Sequence, residues 1–206
     1  MSGKRLSRAE RRERILAAAA EVFATTGYAA AGMRAVATRA GISTPVLYDH
    51  FASKADLYAL LLERQVDALI DDWSTPPERV GTYELFHGRV RAIYAWIERN
   101  ELAWRMIFGE APGEEVVARA HHRGQARATA QLASLFHLVP RLDLSVELDR
   151  DRADEVLAEA AKSALNAIAT WWWSNRDIPR EHIVALTADL LWRGLRELTE
   201  IGKDQA

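Results

Sequence analysis

Apolar residues recur at helical spacing along almost the whole of this 206-residue chain. From Leu57 to Ile70, for example, the apolar positions fall three or four residues apart, which places them on one face of an α-helix. No stretch sustains the two-residue alternation or the β-branched enrichment that is typical of strands. With 49% hydrophobic residues, the chain has enough apolar side chains to bury a core. The sequence therefore predicts an all-α fold.

Capping and breaking residues divide the chain into about nine helices. The first begins at a capping box, Ser7-Arg8-Ala9-Glu10, and Gly27 ends it. Gly41 lets the chain reverse after a short second helix, and Pro45 is tolerated because first-turn amides have no helical partner. Two prolines and a glycine within residues 74–81 predict a hinge between an N-terminal head and a helical body.

Charge is distributed unevenly along the chain, although its net value is only −2. Residues 1–54 hold nine Lys and Arg against four Asp and Glu, whereas residues 55–206 hold 18 against 25. Six of the first 14 residues are basic. This pattern is typical of an arm that binds a polyanion, with a solvated tail as the alternative.

The longest apolar runs are interrupted by charged residues, as Glu21 interrupts the first. A bilayer span needs about 20 predominantly apolar residues, so we expect no membrane segment and a cytoplasmic protein. The chain has no cysteine, which excludes a disulfide framework and a thiolate metal site. We predict no cofactor.

Two short helices joined at residues 39–44 predict a helix-turn-helix, whose second helix can enter a DNA major groove. A generic helical hairpin shares this geometry, so spacing alone leaves both interpretations open. The particular residues are more specific. They are Ile15-Leu16, Phe23, Gly27, Val36-Ala37, Ala40-Gly41-Ile42-Ser43, Leu47-Tyr48-Asp49-His50-Phe51, and Ser53-Lys54 with Leu57. This set, spread over about a quarter of the chain, closely resembles the DNA-binding head of the TetR family of bacterial transcriptional regulators.

The resemblance implies an N-terminal three-helix helix-turn-helix DNA-binding head, residues 1–53, and a C-terminal helical ligand-binding and dimerisation domain, residues 54–206. The helix of residues 54–73 would connect the two. The implied function is that of a repressor that binds a pseudo-palindromic double-stranded DNA operator as a homodimer. A small-molecule effector would release it.

Carried over by position, the resemblance implies base-facing and phosphate-binding side chains. Those at the base edges would be Thr44, Pro45, Val46 and Tyr48, and those on phosphates would be Tyr48, His50 and Lys54. Thr44 and Tyr48 are four residues apart, so they share one helix face. A helix-end cap is the alternative for His50.

The start of the second helix departs from the family pattern. Where the family usually has Thr or Ser, this chain has Ala31-Gly32, so backbone amides would have to hold a phosphate there. Arg34, in the first turn of this helix, is predicted to read a guanine.

Three consecutive tryptophans, Trp171 to Trp173, point in three directions on a helix, so something must pack on more than one side of them. In the TetR family the last two helices pair with their copies in a second subunit, which would cover such a segment. We therefore expect a dimer interface that includes Trp172, Leu165, Leu186, Leu190 and Gly194.

Aromatic residues in the body suggest a pocket for a hydrophobic or aromatic effector, with ordinary core packing as the alternative for each. The residues predicted to line it are Trp96, Trp104, Phe108, His122 and Trp171.

Two other functional classes fit the sequence less well. An enzyme is disfavoured because His121-His122 lacks the i, i+4 spacing of helical metal ligands, and because residues 27–32 lack the Lys-Ser/Thr of a phosphate loop. A helical dimer whose head binds protein rather than DNA is disfavoured by the basic head.

Overall fold

The computed structural model describes residues 6–73, 82–137 and 146–196, and within these ranges it contains nine helices and no strand. They are α1 (Arg8–Ala30), α2 (Met33–Ala40), α3 (Thr44–Tyr48), α4 (Lys54–Trp73), α5 (Thr82–Arg99), α6 (Glu101–Phe108), α7 (Glu115–Phe136), α8 (Arg150–Trp173) and α9 (Arg180–Arg196). The predicted all-α class is confirmed. The predicted hinge of residues 74–81 lies outside the described residues.

The chain divides into two compact units. The first contains residues 1–68 and 102–125, and the second contains residues 69–101 and 126–206. The residues of α1, α2 and α3 all fall in the first unit. The functional division at residue 54 stays a prediction.

The first unit begins with the expected capping box. The Ser7 hydroxyl accepts the Glu10 amide at 3.2 Å, and the Glu10 carboxylate accepts the Ser7 amide at 2.7 Å. Ile15, Leu16 and Phe23 then form the buried face of α1, which packs against α2. Gly27 breaks the helix with φ 72°, a left-handed conformation that favours glycine, and one further turn follows to Ala30.

A tight turn separates α2 from α3. Gly41 adopts φ 64° and ψ 40°, and its amide donates to the last carbonyls of α2, on Ala37 and Thr38. The buried side chains of Leu47 and Phe51 then anchor α3 on the core of the unit. The predicted helix-turn-helix is thus formed by α2 and α3.

In the second unit, α5 and α8 both pack against α9. The Tyr94 ring, on α5, is buried, and its hydroxyl lies 3.0 Å from the Thr187 hydroxyl of α9. At its start, α8 is capped by Asp149, whose carboxylate accepts the Arg152 amide. Among the described residues, no helix has the length and apolarity that crossing a bilayer requires.

Candidate nucleic-acid interface

The outward side of α3 carries the four side chains that sequence predicted at base edges. Leu47 is fully buried, so its position fixes which side of this short helix faces the core. Tyr48 is 50% exposed and Pro45 is also exposed, whereas Thr44 and Val46 are half-buried. A phenol, a hydroxyl and apolar surface are thereby presented on a rigid support, which is the chemistry that reads base edges in a major groove.

At the start of α2, Gly32 is the N-cap and supplies no side-chain hydrogen bond. Its φ of −112° is ordinary extended backbone, so the glycine is not required by conformation. Arg34 lies in the first turn with an exposed side chain. The positive end of this helix and an exposed guanidinium therefore occupy the same end of α2, which favours an anion there.

Arginines of α1 support the end of α3, a contact that sequence reasoning missed. The Arg12 guanidinium donates to the His50 carbonyl at 2.9 Å and lies 4.3 Å from the centre of the Phe51 ring. The Arg8 guanidinium donates to the Asp49 carbonyl at 3.4 Å. Part of the basic arm therefore holds the C-terminal end of α3 in place, by donating to the carbonyls of the two residues that follow this helix. The sequence shows this run of basic residues, but the carbonyl groups that Arg8 and Arg12 contact lie about 40 positions away along the chain. No local pattern could therefore indicate the contact.

His50 stands beside this group of cations. Its Nδ1 atom is buried and has no hydrogen-bond partner among the described residues. Burial lowers the pKa of His50, and the charges of Arg8, Arg11 and Arg12 lower it further. A neutral imidazole can donate one hydrogen bond to a phosphate, so the predicted role of His50 stays a prediction.

The half-buried Lys54 side chain donates to backbone carbonyls of its own chain, and its predicted phosphate contact stays a prediction. Its Nζ atom donates to the Tyr28 carbonyl at 2.9 Å, to that of Ala31 at 3.2 Å and to that of Ala29 at 3.4 Å. An ammonium has three N–H donors, and the end of α1 accepts all of them. The family position is matched in sequence, but the side chain faces its own chain.

The predicted effector residues are divided between the two units. Trp104, Phe108 and His122 belong to the first, and Trp96 and Trp171 belong to the second. Trp96 and Trp104 are buried, as pocket-lining or core residues would be. His122 is exposed, and Trp171 is 52% exposed, so Trp171 lies on the surface of its unit rather than in an interior.

The predicted dimer residues also differ in exposure. Trp172 is 1% exposed and donates its indole N–H to the Ile178 carbonyl at 2.8 Å, and Leu165 is buried as well. Both are therefore largely covered by their own chain, and their expected role in a subunit contact stays a prediction. By contrast, Leu186 is 68% and Leu190 is 62% exposed, and Gly194 is exposed further along α9.

Comparison with known proteins identifies the family. Residues 15–61 match the bacterial regulatory proteins of the tetR family. Over 202 residues the chain is 33% identical to the HTH-type transcriptional activator FasR of Mycolicibacterium smegmatis, an alignment that covers 94% of this chain and 86% of FasR. The chain belongs to the TetR family.

A second TetR-family relative is the HTH-type transcriptional repressor KstR of Rhodococcus jostii. It is 30% identical over 166 residues, which is 81% of this chain and 71% of KstR. The crystal structure of a TetR-family regulator from Streptomyces coelicolor superposes with a TM-score of 0.73 at 20% identity, covering 93% of this chain and 82% of that one.

Membership of the TetR family makes the protein a DNA-binding transcriptional regulator. The family resemblance predicted from the head motifs is confirmed, and so is the expectation that the chain is not an enzyme, because its relatives regulate transcription. The matched segment extends from the buried face of α1 into α4, and so includes the whole helix-turn-helix.

Proposed function

We propose that two copies of the chain bind a pseudo-palindromic DNA operator through α2 and α3, and that a small-molecule effector lowers this affinity. The observation that carries the proposal is the outward face of α3, anchored from behind by fully buried Leu47. A helix held in this way can present its side chains to base edges with little loss of side-chain and backbone freedom on binding.

The reading side chains would be Thr44, Pro45, Val46 and Tyr48, with Arg34 on a guanine or a nearby phosphate. Apolar surface on Pro45 and Val46 suits a thymine methyl group. His50 would donate to a phosphate from the end of α3, where Arg8 and Arg12 add positive potential.

A second copy of the chain would cover the apolar surface that α8 and α9 leave exposed. Leu186 and Leu190 are one turn apart on α9, so they form a continuous strip. On α8, Trp171 and Val156 are also more than half exposed. Four large apolar side chains in water on two neighbouring helices are typical of a subunit contact, and two-fold pairing is the commonest closed arrangement.

The effector would be hydrophobic or aromatic, since the residues predicted for its site include buried Trp104 and half-buried Phe108 of the first unit. It would act by binding more tightly to the form of the dimer that cannot engage DNA, and a typical coupling of about 1 to 3 kcal/mol would lower operator affinity roughly 5- to 150-fold. As a DNA-binding regulator the protein would act in the cytoplasm.

The sequence predicted a repressor. FasR is named an activator and KstR a repressor, and both belong to the same family. The same DNA contact blocks or aids transcription according to where the operator lies relative to the promoter. A reporter fused to a genomic promoter that contains a match to the selected operator therefore measures the direction of control.

The test of DNA binding is selection of duplexes from a randomised pool by the wild-type protein, followed by mobility-shift titration. We expect a sequence with two-fold symmetry and half-sites about 34 to 36 Å apart, or a multiple of this distance. Arg34→Ala should weaken binding, whereas Arg119→Ala, which removes an exposed arginine from α7, should not. A wild-type protein that selects no sequence, or equal losses from the two arginines, would contradict the proposal.

A further inference from the structure

The basic head, residues 1–54, contains four acidic residues, which are Glu10, Glu13, Glu21 and Asp49. Three of them are held by the chain itself. The first closes the capping box of α1, the second pairs with Arg64 and the third pairs with Arg39. Asp49 differs from these three, because its side chain is exposed and its carboxylate makes no hydrogen bond or ion pair with any residue that the structure describes. Its charge is therefore not used to stabilise the fold.

Asp49 directly follows α3 and continues its helical turn. The φ of −66° and ψ of −19° at this residue are helical, and its amide donates to the Pro45 carbonyl at 3.1 Å. Residues four apart on a helix lie one turn apart on the same face, so Asp49 extends the row that begins at exposed Pro45. Thr44 and Tyr48 form the neighbouring row. The carboxylate therefore borders the side chains that are proposed to read bases.

The side chains of α3 itself discriminate weakly between bases. A hydroxyl such as that of Thr44 contacts either a donor or an acceptor, and apolar surface such as that of Val46 recognises little beyond a thymine methyl group. Within residues 44–48 there is no Arg, Lys, Asn, Gln, Asp or Glu. Asp49 is thus the first residue along this helix with a side chain that accepts hydrogen bonds and cannot donate them.

An ionised carboxylate fits few groups on DNA. Phosphates repel it, and so do the acceptor atoms of guanine and thymine in the major groove. Adenine offers an amino group there, but its N7 acceptor lies alongside, whereas the cytosine edge offers the N4 amino group alone. The Arg8 guanidinium, which donates to the Asp49 carbonyl, offsets part of the repulsion from nearby phosphates. Cytosine is therefore the base that this side chain matches best.

We propose that Asp49 is a specificity-determining residue, whose carboxylate accepts a hydrogen bond from the N4 amino group of one cytosine in each half-site of the operator. The inference rests on the proposed DNA-binding function and adds to it a reader of opposite charge to Arg34. The cost of bringing a negative charge to DNA is offset only at sequences that supply this amino group. Asp49 thereby weakens binding to all other sequences as well.

The first test is parallel selection of duplexes from a randomised pool by the wild-type protein, Asp49→Asn and Asp49→Ala. We expect the wild type to select cytosine at one position of each half-site. Asp49→Ala should lose the preference at that position alone. Asp49→Asn should change it towards adenine, because an amide pairs with the N6 and N7 atoms of that base. Since Asp49 is exposed, circular dichroism should show both variants folded as the wild type is.

The second test changes one group on the DNA. N4-methylcytosine at the selected position replaces the N–H that faces the major groove by a methyl group. In mobility-shift titration this should weaken wild-type binding about tenfold or more and Asp49→Ala binding about twofold or less. Glu21→Gln is the matched control, since it removes one negative charge from α1 and should leave every base preference unchanged.

Three outcomes would overturn the proposal. Asp49→Ala and Asp49→Asn could select the same sequence as the wild type, or could bind operator and random DNA more tightly by the same factor, which would leave Asp49 with a repulsive role alone. The methylated operator could also bind the wild type without loss. In each case the wild type still selects a symmetric sequence and the proposed function stands. A wild-type protein that selects no duplex would overturn the proposed function, and this role of Asp49 with it.

Discussion

Leu190→Ala should weaken the proposed dimer without unfolding the chain. Leu190 is 62% exposed on α9, so its side chain contributes little to the core of its own subunit. If a second copy covers this surface, the leucine loses most of its contact with water only when the dimer forms. The substitution then separates association from folding.

The magnitude follows from that exposed fraction. Full burial of a leucine side chain is worth about 1.5 to 3 kcal/mol, and the exposed 62% corresponds to about 1 to 2 kcal/mol. Alanine retains one methyl group, which places the loss near about 1 kcal/mol per copy. Two-fold symmetry applies the loss twice, so the dimer should be weaker by about 2 kcal/mol, or roughly thirtyfold in its dissociation constant.

Sedimentation equilibrium over a dilution series gives the dissociation constant directly. Val116→Ala is the matched control, because Val116 is also an exposed apolar residue, at 37%, but lies on α7 in the first unit. An unchanged dissociation constant for Leu190→Ala, or a wild-type chain that sediments as a monomer at micromolar concentration and still binds its operator tightly, would refute the reasoning.

Four further substitutions test the packing, the two turns and the cap of α2. Trp172→Ala removes a fully buried ring and its hydrogen bond, and should lower the free energy of unfolding by about 3 to 5 kcal/mol in urea titration. Gly27→Ala and Gly41→Ala each place a side chain at positive φ, which should cost about 1 to 2 kcal/mol. The Arg14 guanidinium near Gly41 is the exposed end of a flexible side chain and can move aside, so the two variants should lose similar amounts of stability; a much larger loss at Gly41 would contradict this. Gly32→Ser supplies the missing cap of α2 in open space and should raise stability by a few tenths of a kcal/mol, with tighter binding to all DNA sequences alike if a phosphate lies there.

Helix limits could be predicted from the sequence where the signal is local. The capping box at Ser7 and the reversal at Gly41 depend on side chains within a few positions of the helix end. The start of α8 at Arg150 is less clearly marked, because its N-cap, Asp149, lies within a polar stretch that resembles a loop.

The site could be predicted only in part, because a motif identifies positions and does not show what a flexible side chain contacts. Tyr48 and Pro45 are exposed as the helix periodicity required. Lys54 has four rotatable side-chain bonds, and its acceptors lie at least 23 positions away, where no local pattern indicates them. The contact of Arg12, which was predicted to be part of a DNA-binding arm, could not be predicted for the same reason, since its acceptor is the distant His50 carbonyl.

The three consecutive tryptophans show how far periodicity can resolve an interface. Neighbouring residues of a helix point about 100° apart, so the indoles had to meet three environments. Trp172 is enclosed by its own chain, where it packs edge-on against Tyr94 with ring centres 6.0 Å apart. Trp173 is half-buried, and the Arg176 guanidinium lies 5.0 Å from its ring. Only Trp171 keeps half its surface in water. Periodicity assigned each indole to one face of the helix. It could not show which face is covered by the chain itself and which by a partner, since a core face and an interface are both apolar. In the proposed dimer this segment would therefore gain association free energy mainly by burying Trp171, because Trp172 is already buried when the chain folds.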